Sequence, residues 1–311
     1  MKLKASQFLY PVLLILGLCA PALVYPILMM KVLCFALFAC AFNLMLGYTG
    51  LLSFGHAAFF GSAAYVAGHA IKVWSFGPLA GVITGTLVAA VLGLIIGLLA
   101  IRRQGIYFSM ITLALAQMVF FLFLQAPFTG GEDGLQGVPR GTILGLDLNN
   151  DITLYYVVLA IFVLAFGVIF RIVHSPFGEV LKAIRENESR AISLGYDVTR
   201  YKLLAFVLSA GFAGLAGATK VLVFKFATLT DAHWHMSGEV VLMTLVGGMG
   251  TLLGPVVGAS TIVTLQNVLA DKVGSLVTVI MGAIFVLCVL AFRRGIVGEL
   301  QALARRVLRQ R

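Results

Sequence analysis

ITLYYVVLAIFVLAFGVIF at 152–170, RIVHSPFGEVLKAIRENESRAISLGYDVTRYK at 171–202 and LLAFVLSAGFAGLAGATKVLV at 203–223 run on without a break, apolar, then charged, then apolar again. Each apolar flank approaches the roughly 20 residues that cross about 30 Å of hydrocarbon. The insert between them is rich in charges of both signs and in helix formers, so it sits in water. A chain that keeps such an insert between two membrane crossings presents it to a partner.

The rest of the chain repeats the apolar theme. Hydrophobic residues make up 61% of the 311 positions and charged residues 11%, which places the chain in a bilayer. Each crossing with its turn uses roughly 25 to 30 residues, so there is room for about ten short spans and for no soluble catalytic domain. The predicted fold is an all-α polytopic membrane protein of about ten transmembrane helices, some short or broken, with a cytoplasmic helix in the charged insert. Spans are expected near 8–26, 27–46, 51–71, 78–101, 106–125, 152–171, 203–223, 239–250, 254–270 and 275–292. The first lacks a small-residue cleavage pattern and reads as a retained span.

The net charge of +10 raises nucleic acid as a partner, but the placement of the charge argues against it. Lys2, Lys4, Arg102, Arg103, the cations of the insert and those of the tail at 293–311 all fall on one side of the expected topology. An excess of Lys and Arg marks the cytoplasmic face. Both termini, the loop at 172–202 and the basic tail are therefore expected on the cytoplasmic side of the membrane. The Gly-, Pro- and Asp-rich loop at 126–151 is expected in the periplasm.

No catalytic or metal-binding residue is expected. Cys19, Cys34, Cys40 and Cys288 lie in apolar runs without C-x-x-C spacing and read as small buried hydrophobes. H-E-x-x-H and G-x-S-x-G are missing from the sequence, and so is the G-x-x-x-x-G-K-[ST] loop that cradles nucleotide phosphates. If ATP and Mg drive this chain, a separate subunit must bind them.

Two interruptions of the apolar runs stand out: GYTGLLSFGH from Gly47 and GGMGTLLGP from Gly247. Each holds a G-x-x-G pair with a leucine two residues later. Broken helices at matching places in two halves point to a substrate path at the midplane, while close helix packing is the competing explanation. Pro255 favours a break, since it removes a backbone donor within an apolar region. Asn43, Gly47, Gly50, Ser53, His56, Gly247 and Gly250 are the expected path residues, with the reservation that a lone intramembrane histidine such as His56 more often links helices. In the insert, Ser175-Pro176 starts a helix, Val180, Ile184, Glu188 and Ile192 recur at four-residue steps, and Gly195 caps the end.

The motifs GYTGLLSFGHAAFFGSAAY (47–65), TGGEDGLQGVP (129–139), SPFGEVLKAIRENESRAISLGYDVTRYKLLAFVLSAGFAGLAGA (175–218) and GGMGTLLGPVVGA (247–259) together resemble the permease subunits of branched-chain amino acid ABC importers, of LivM type. The resemblance implies an importer of two related permease chains, two ATP-binding subunits and a periplasmic substrate-binding protein. It also implies that Glu179, Arg185, Glu188, Ala191 and Gly195 belong to the element that couples to the ATPase. The general importer motif E-A-A-x-x-x-G is met only at Ala191 and Gly195, because Ser189 and Arg190 occupy its first two places. Alternatives are a urea or short-chain amide permease of the same superfamily and an ion-coupled transporter that uses His56 or Glu239 as a relay.

Overall fold

The computed structural model describes residues 17–299 apart from 19, 23, 144 and 292–294. The expected first span at 8–26 and the basic tail at 293–311 lie outside the described residues except at their inner ends, as does Cys19.

Helix α1 (Pro26–Thr49) begins with proline in its first turn, where the missing N–H costs nothing, and ends at Gly50, which takes the left-handed φ of 78°. It is followed by α2 (His56–Lys72), α3 (Pro78–Ala100), α4 (Ile106–Gln125) and, beyond the long loop, α5 (Asp151–Val173). The charged insert forms α6 (Pro176–Glu186) and α7 (Glu188–Ser193). Then come α8 (Val198–Phe224), α9 (Leu229–Ala232), α10 (Trp234–Gly247), α11 (Gly254–Val273) and α12 (Val277–Ala291). The long loop holds a two-residue hairpin, β1 (Thr142–Ile143) with β2 (Leu146–Asp147), the register pairing Thr142 with Asp147.

Among the described helices, α1, α3, α4, α5 and α8 are long and apolar enough to cross a membrane. Their burial separates two roles. The most apolar stretches of α1 and α8 are 72% buried, whereas those of α3, α4 and α5 are 33%, 22% and 28% buried, so the first two form the core and the others face outward. With no water in hydrocarbon to drive association, such helices approach through small residues. A methyl group added at Gly217 of α8 would lie 2.0 Å from the Phe60 carbonyl of α2, and one at Gly93 of α3 would lie 2.4 Å from the Ala210 methyl.

Each end of this core is tied by buried polar contacts. The loop at 126–151 joins the segment after α8 through the Leu135–Ala227 bridge, with Leu135 N–H to Ala227 O at 2.9 Å and Val138 N–H to Lys225 O at 2.9 Å. Arg140, 6% exposed, donates to the Leu222 and Val223 carbonyls at the C-terminus of α8 (3.1 and 2.7 Å) and pairs with Asp151 at 2.7 Å. A cation there also meets the negative end of the helix dipole.

The expected continuous helix through the insert is corrected. Asn187 leaves helical geometry (φ −158°, ψ 99°) and its side chain accepts from Arg190 N–H at 3.0 Å, capping α7 as a new helix. An asparagine side chain competes for backbone donors and so favours a cap over a helix interior. The four-residue stripe is broken as a result: Ile184 and Ala191 are buried with Val198, while Ile192 is 57% exposed. Pro255 is also reassigned, since it lies in the first turn of α11, where the donor it lacks would have had no helical acceptor.

Candidate functional site

The two glycine clusters meet in space. Gly47 and Gly50 end α1; Gly247 ends α10, and Gly250 follows in the turn before α11. Gly50 and Gly250 both take positive φ, 78° and 75°, so the matching sequence positions carry matching backbone conformations. Asn43 straps them together: its Oδ1 accepts from Gly250 N–H and its Nδ2 donates to Thr251 O, both at 2.9 Å. The Asn43 side chain is 2% exposed and has both its functions satisfied here.

The third component is Arg185 of α6. Its Nη1 donates to the Gly47 carbonyl, and its aliphatic stem crosses Gly50, where an added methyl would lie 3.1 Å from Cγ. A methyl on Gly250 would lie 2.9 Å from Nη1. Glycines at these places let the guanidinium of the insert reach the end of α1 and the turn before α11 at once. It lies where the last carbonyls of α1 carry partial negative charge.

The non-helical segment between α1 and α2 is held by side chains of other helices, as backbone away from water requires. Ser109 Oγ donates to Leu52 O at 2.6 Å, Phe54 N–H donates to Thr112 Oγ1 at 3.2 Å, and Ser237 Oγ donates to Phe54 O at 2.8 Å while accepting Ala57 N–H at 2.9 Å. Ser53 is fully buried and its Oγ accepts Gly55 N–H at 3.1 Å. These serines and threonines on α4 and α10 escaped the sequence reading. Their signal was hydroxyls inside apolar runs.

His56, fully buried, lies among Phe42, Phe59 and Phe206, edge-on at 5.0 to 6.0 Å between ring centroids. Its Nε2 is 2.8 Å from Ser209 Oγ, and that hydroxyl gives its only proton to Ala41 O at 2.5 Å. Nε2 therefore donates, and the chain α2–α8–α1 is a helix-to-helix link. Among the described residues no carboxylate adjoins it to relay a proton.

The described cavity lies at the opposite ends of α1 and α10, and none of the seven expected path residues lines it. Its volume is about 520 Å³, within the range of small-molecule sites. Four ionisable groups far apart in sequence face it: Lys31 of α1, Lys220 of α8, Asp231 of α9 and Glu239 of α10. Lys220 and Asp231, 8% and 1% exposed, form a two-pronged pair at 2.5 and 2.6 Å. Asp231 Oδ2 also accepts Thr228 N–H at 3.2 Å to cap α9, and the Lys220 ammonium lies 5.4 Å from the centre of the Phe226 ring.

The insert's remaining residues divide by exposure. Glu188 turns inward, accepting from Lys202 Nζ at 2.6 Å and Gln104 Nε2 at 2.9 Å, with Lys202 buried. It braces α7 against α8 and is not on the outer face. Glu179 is exposed and pairs with Lys182 at 2.8 Å, whose hydrogen bond and charge lower its carboxyl pKa. Ala191 is buried, and Gly195 takes φ 87°. The bonds Tyr196 N–H to Ala191 O (3.2 Å) and Gly195 N–H to Ile192 O (2.9 Å) close a Schellman motif. Its outer surface is apolar, with Ile192, Leu194 and Tyr196 at 57%, 68% and 41% exposure. Gly195→Val would force a β-branched residue into a left-handed conformation, at a local cost on the order of 1 kcal/mol. The expected result is normal membrane insertion with a less stable end of α7, read as faster amide exchange at 192–197; unchanged exchange would show that the cap does not need glycine.

The family described as branched-chain amino acid transport system / permease component matches residues 26–289. The high-affinity branched-chain amino acid transport system permease protein LivM of Salmonella typhimurium is 30% identical over 258 residues, 74% of this chain and 60% of that protein. The LivM protein of Escherichia coli is 29% identical over the same length. The ribose import permease protein RbsC of Bacillus subtilis is 30% identical over 167 residues, 49% of each chain. The chain thus spans about 60% of the length of the LivM proteins it matches. No solved structure matches it. With the match covering the helices, both glycine clusters and the insert, this chain belongs to the family of permease components of branched-chain amino acid transport systems.

Proposed function

We propose that this chain is a membrane-spanning subunit of an ATP-driven importer and forms, with a second related permease chain, the passage for branched-chain or related hydrophobic amino acids. The observation that carries the coupling part of this reading is the Arg185 contact. It joins the water-exposed insert to the end of α1 and to the turn before α11, so a push on the insert reaches the helices that run to the cavity. Two ATP-binding subunits supply the force against Ile192, Leu194 and Tyr196, and a periplasmic binding protein delivers the substrate. ATP and Mg are held by those partners.

The orientation that suits this reading puts the insert in the cytoplasm, the loop at 126–151 in the periplasm and the chain in a bacterial inner membrane. An external thiol reagent should label Asn149→Cys and spare Ser193→Cys in intact cells; the reverse pattern inverts the topology.

The test of function is reconstitution in liposomes with the ATP-binding, permease and binding proteins encoded beside this chain. Leucine should accumulate only with ATP inside the ATPase compartment, and ribose and urea should not. Accumulation of ribose or urea would move the chain to another substrate class, and leucine accumulation driven by an ion gradient without ATP would end the ABC reading.

A further inference from the structure

Once Lys220 and Asp231 neutralise one another, two charges of the cavity remain, Lys31 and Glu239, and they are of opposite sign. Each is only partly exposed. Among the described residues neither joins an ion pair within 4.0 Å, although both face the same space. Gln266 and Asn267 of α11 add amide donors and acceptors beside them, and Phe35, Met236 and Val277 supply apolar wall. Gln266 hydrogen-bonds the Glu239 carboxylate, and Lys31 and Glu239 attract one another only across the cavity, an arrangement that suits a ligand carrying both signs of charge.

We infer that Lys31 and Glu239 form a binding site for the α-carboxylate and α-ammonium of a free amino acid as it enters the passage. The substrate carboxylate accepts charge-assisted hydrogen bonds from Lys31 Nζ, its ammonium donates to the Glu239 carboxylate, and its side chain rests on the apolar wall. The pair is complementary to a zwitterion and to neither a monocation nor a monoanion, because either of those leaves one protein charge without a partner in a partly dehydrated site. Lys220 and Asp231 form the second layer: their pairing removes two charges that would otherwise compete for the same ligand and fixes α8 and α9 behind it. Sequence distance hid this arrangement, since the two residues come from helices at opposite ends of the chain.

This site rests on the permease reading, and its test is one of binding, so that each can fail without the other. The probes are leucine, 3-methylbutylamine, which is leucine without its carboxylate, and 4-methylpentanoate, which is leucine without its ammonium. Binding to the full-length chain, co-purified with its neighbouring transporter subunits in lipid nanodiscs, is read by saturation-transfer NMR without ATP. The wild type should prefer leucine to each analogue by about tenfold or more. Lys31→Met should abolish the preference over 3-methylbutylamine and keep that over 4-methylpentanoate; Glu239→Gln should do the reverse. Lys31→Arg and Glu239→Asp should keep both preferences, which separates loss of charge from loss of fold. A wild type that binds the three probes alike, or preferences that survive both neutralising variants, overturns the site while leaving uptake in the liposome assay to judge the permease.

Discussion

Lys220→Met is expected to destabilise the protein by about 3–5 kcal/mol, because it leaves Asp231 charged, 1% exposed and without its cation. The contact holds the end of α8 to α9 through both carboxylate oxygens, and the same carboxylate caps α9 at Thr228. The double variant Lys220→Met/Asp231→Asn removes the orphaned charge while keeping an oxygen for the Thr228 N–H, so it should recover most of the loss. The measurement is thermal unfolding of purified protein in detergent, single and double variants side by side. A double variant no more stable than Lys220→Met would show that the penalty is not an uncompensated charge. The ordering matters for the cavity too: if the pair is structural, the double variant keeps the leucine preference assigned to Lys31 and Glu239.

Most of the helical frame was legible because a bilayer imposes one rule on every crossing. Backbone donors and acceptors must be satisfied within the segment, so an apolar run of about 20 residues has few folds open to it. The expected spans 27–46, 78–101, 106–125 and 152–171 accordingly fall on α1, α3, α4 and α5 with small shifts at their ends. The positive φ at Gly50, Gly195 and Gly250 follows the same logic at chain reversals. What composition does not encode is which polar groups meet. Asn43 and Gly250, or Arg185 and Gly47, are remote in sequence, and each contact depends on how helices cross. The insert misled for a related reason: its apolar four-residue spacing suited one helix, but the Asn187 side chain offered Arg190 N–H an alternative partner and started a second. The cavity charges lie far apart in the sequence, and sequence order gave no sign that Lys31 and Glu239 face each other.

Arg185→Ala should lower ATP-driven leucine uptake several-fold without blocking membrane insertion or binding of the ATP-binding subunits. The surface on which those subunits are proposed to press, Ile192, Leu194 and Tyr196, lies on the outer side of the insert, and the variant leaves it intact. What it removes is the inner contact, the guanidinium on the Gly47 carbonyl beside Gly50 and Gly250. A cation on the last turn of a helix contributes roughly 0.3–1 kcal/mol, rising to about 2 where partly buried. Since about 1.4 kcal/mol is a tenfold change in an equilibrium, losing the contact shifts the balance toward motion of the insert without α1 by several-fold. ATP hydrolysis should then continue while transport per ATP falls, an uncoupled phenotype that a folding defect does not produce. Arg185→Lys keeps the charge near the helix end but not the planar fork that reaches the Gly47 carbonyl and lies against Gly250, so it should lie between wild type and alanine. Gly50→Leu and Gly250→Leu act on the same contact from the other side, adding bulk where the Arg185 stem and Nη1 pass and forcing a branched side chain into positive φ. They should reproduce the uncoupling of Arg185→Ala and leave the relative binding of leucine and its two analogues unchanged, because the cavity lies at the far ends of α1 and α10. If Arg185→Ala kept the wild-type ratio of leucine moved to ATP hydrolysed, force would have to reach the core by another route, such as the Glu188 contact to Lys202 of α8 and to Gln104 in the turn before α4.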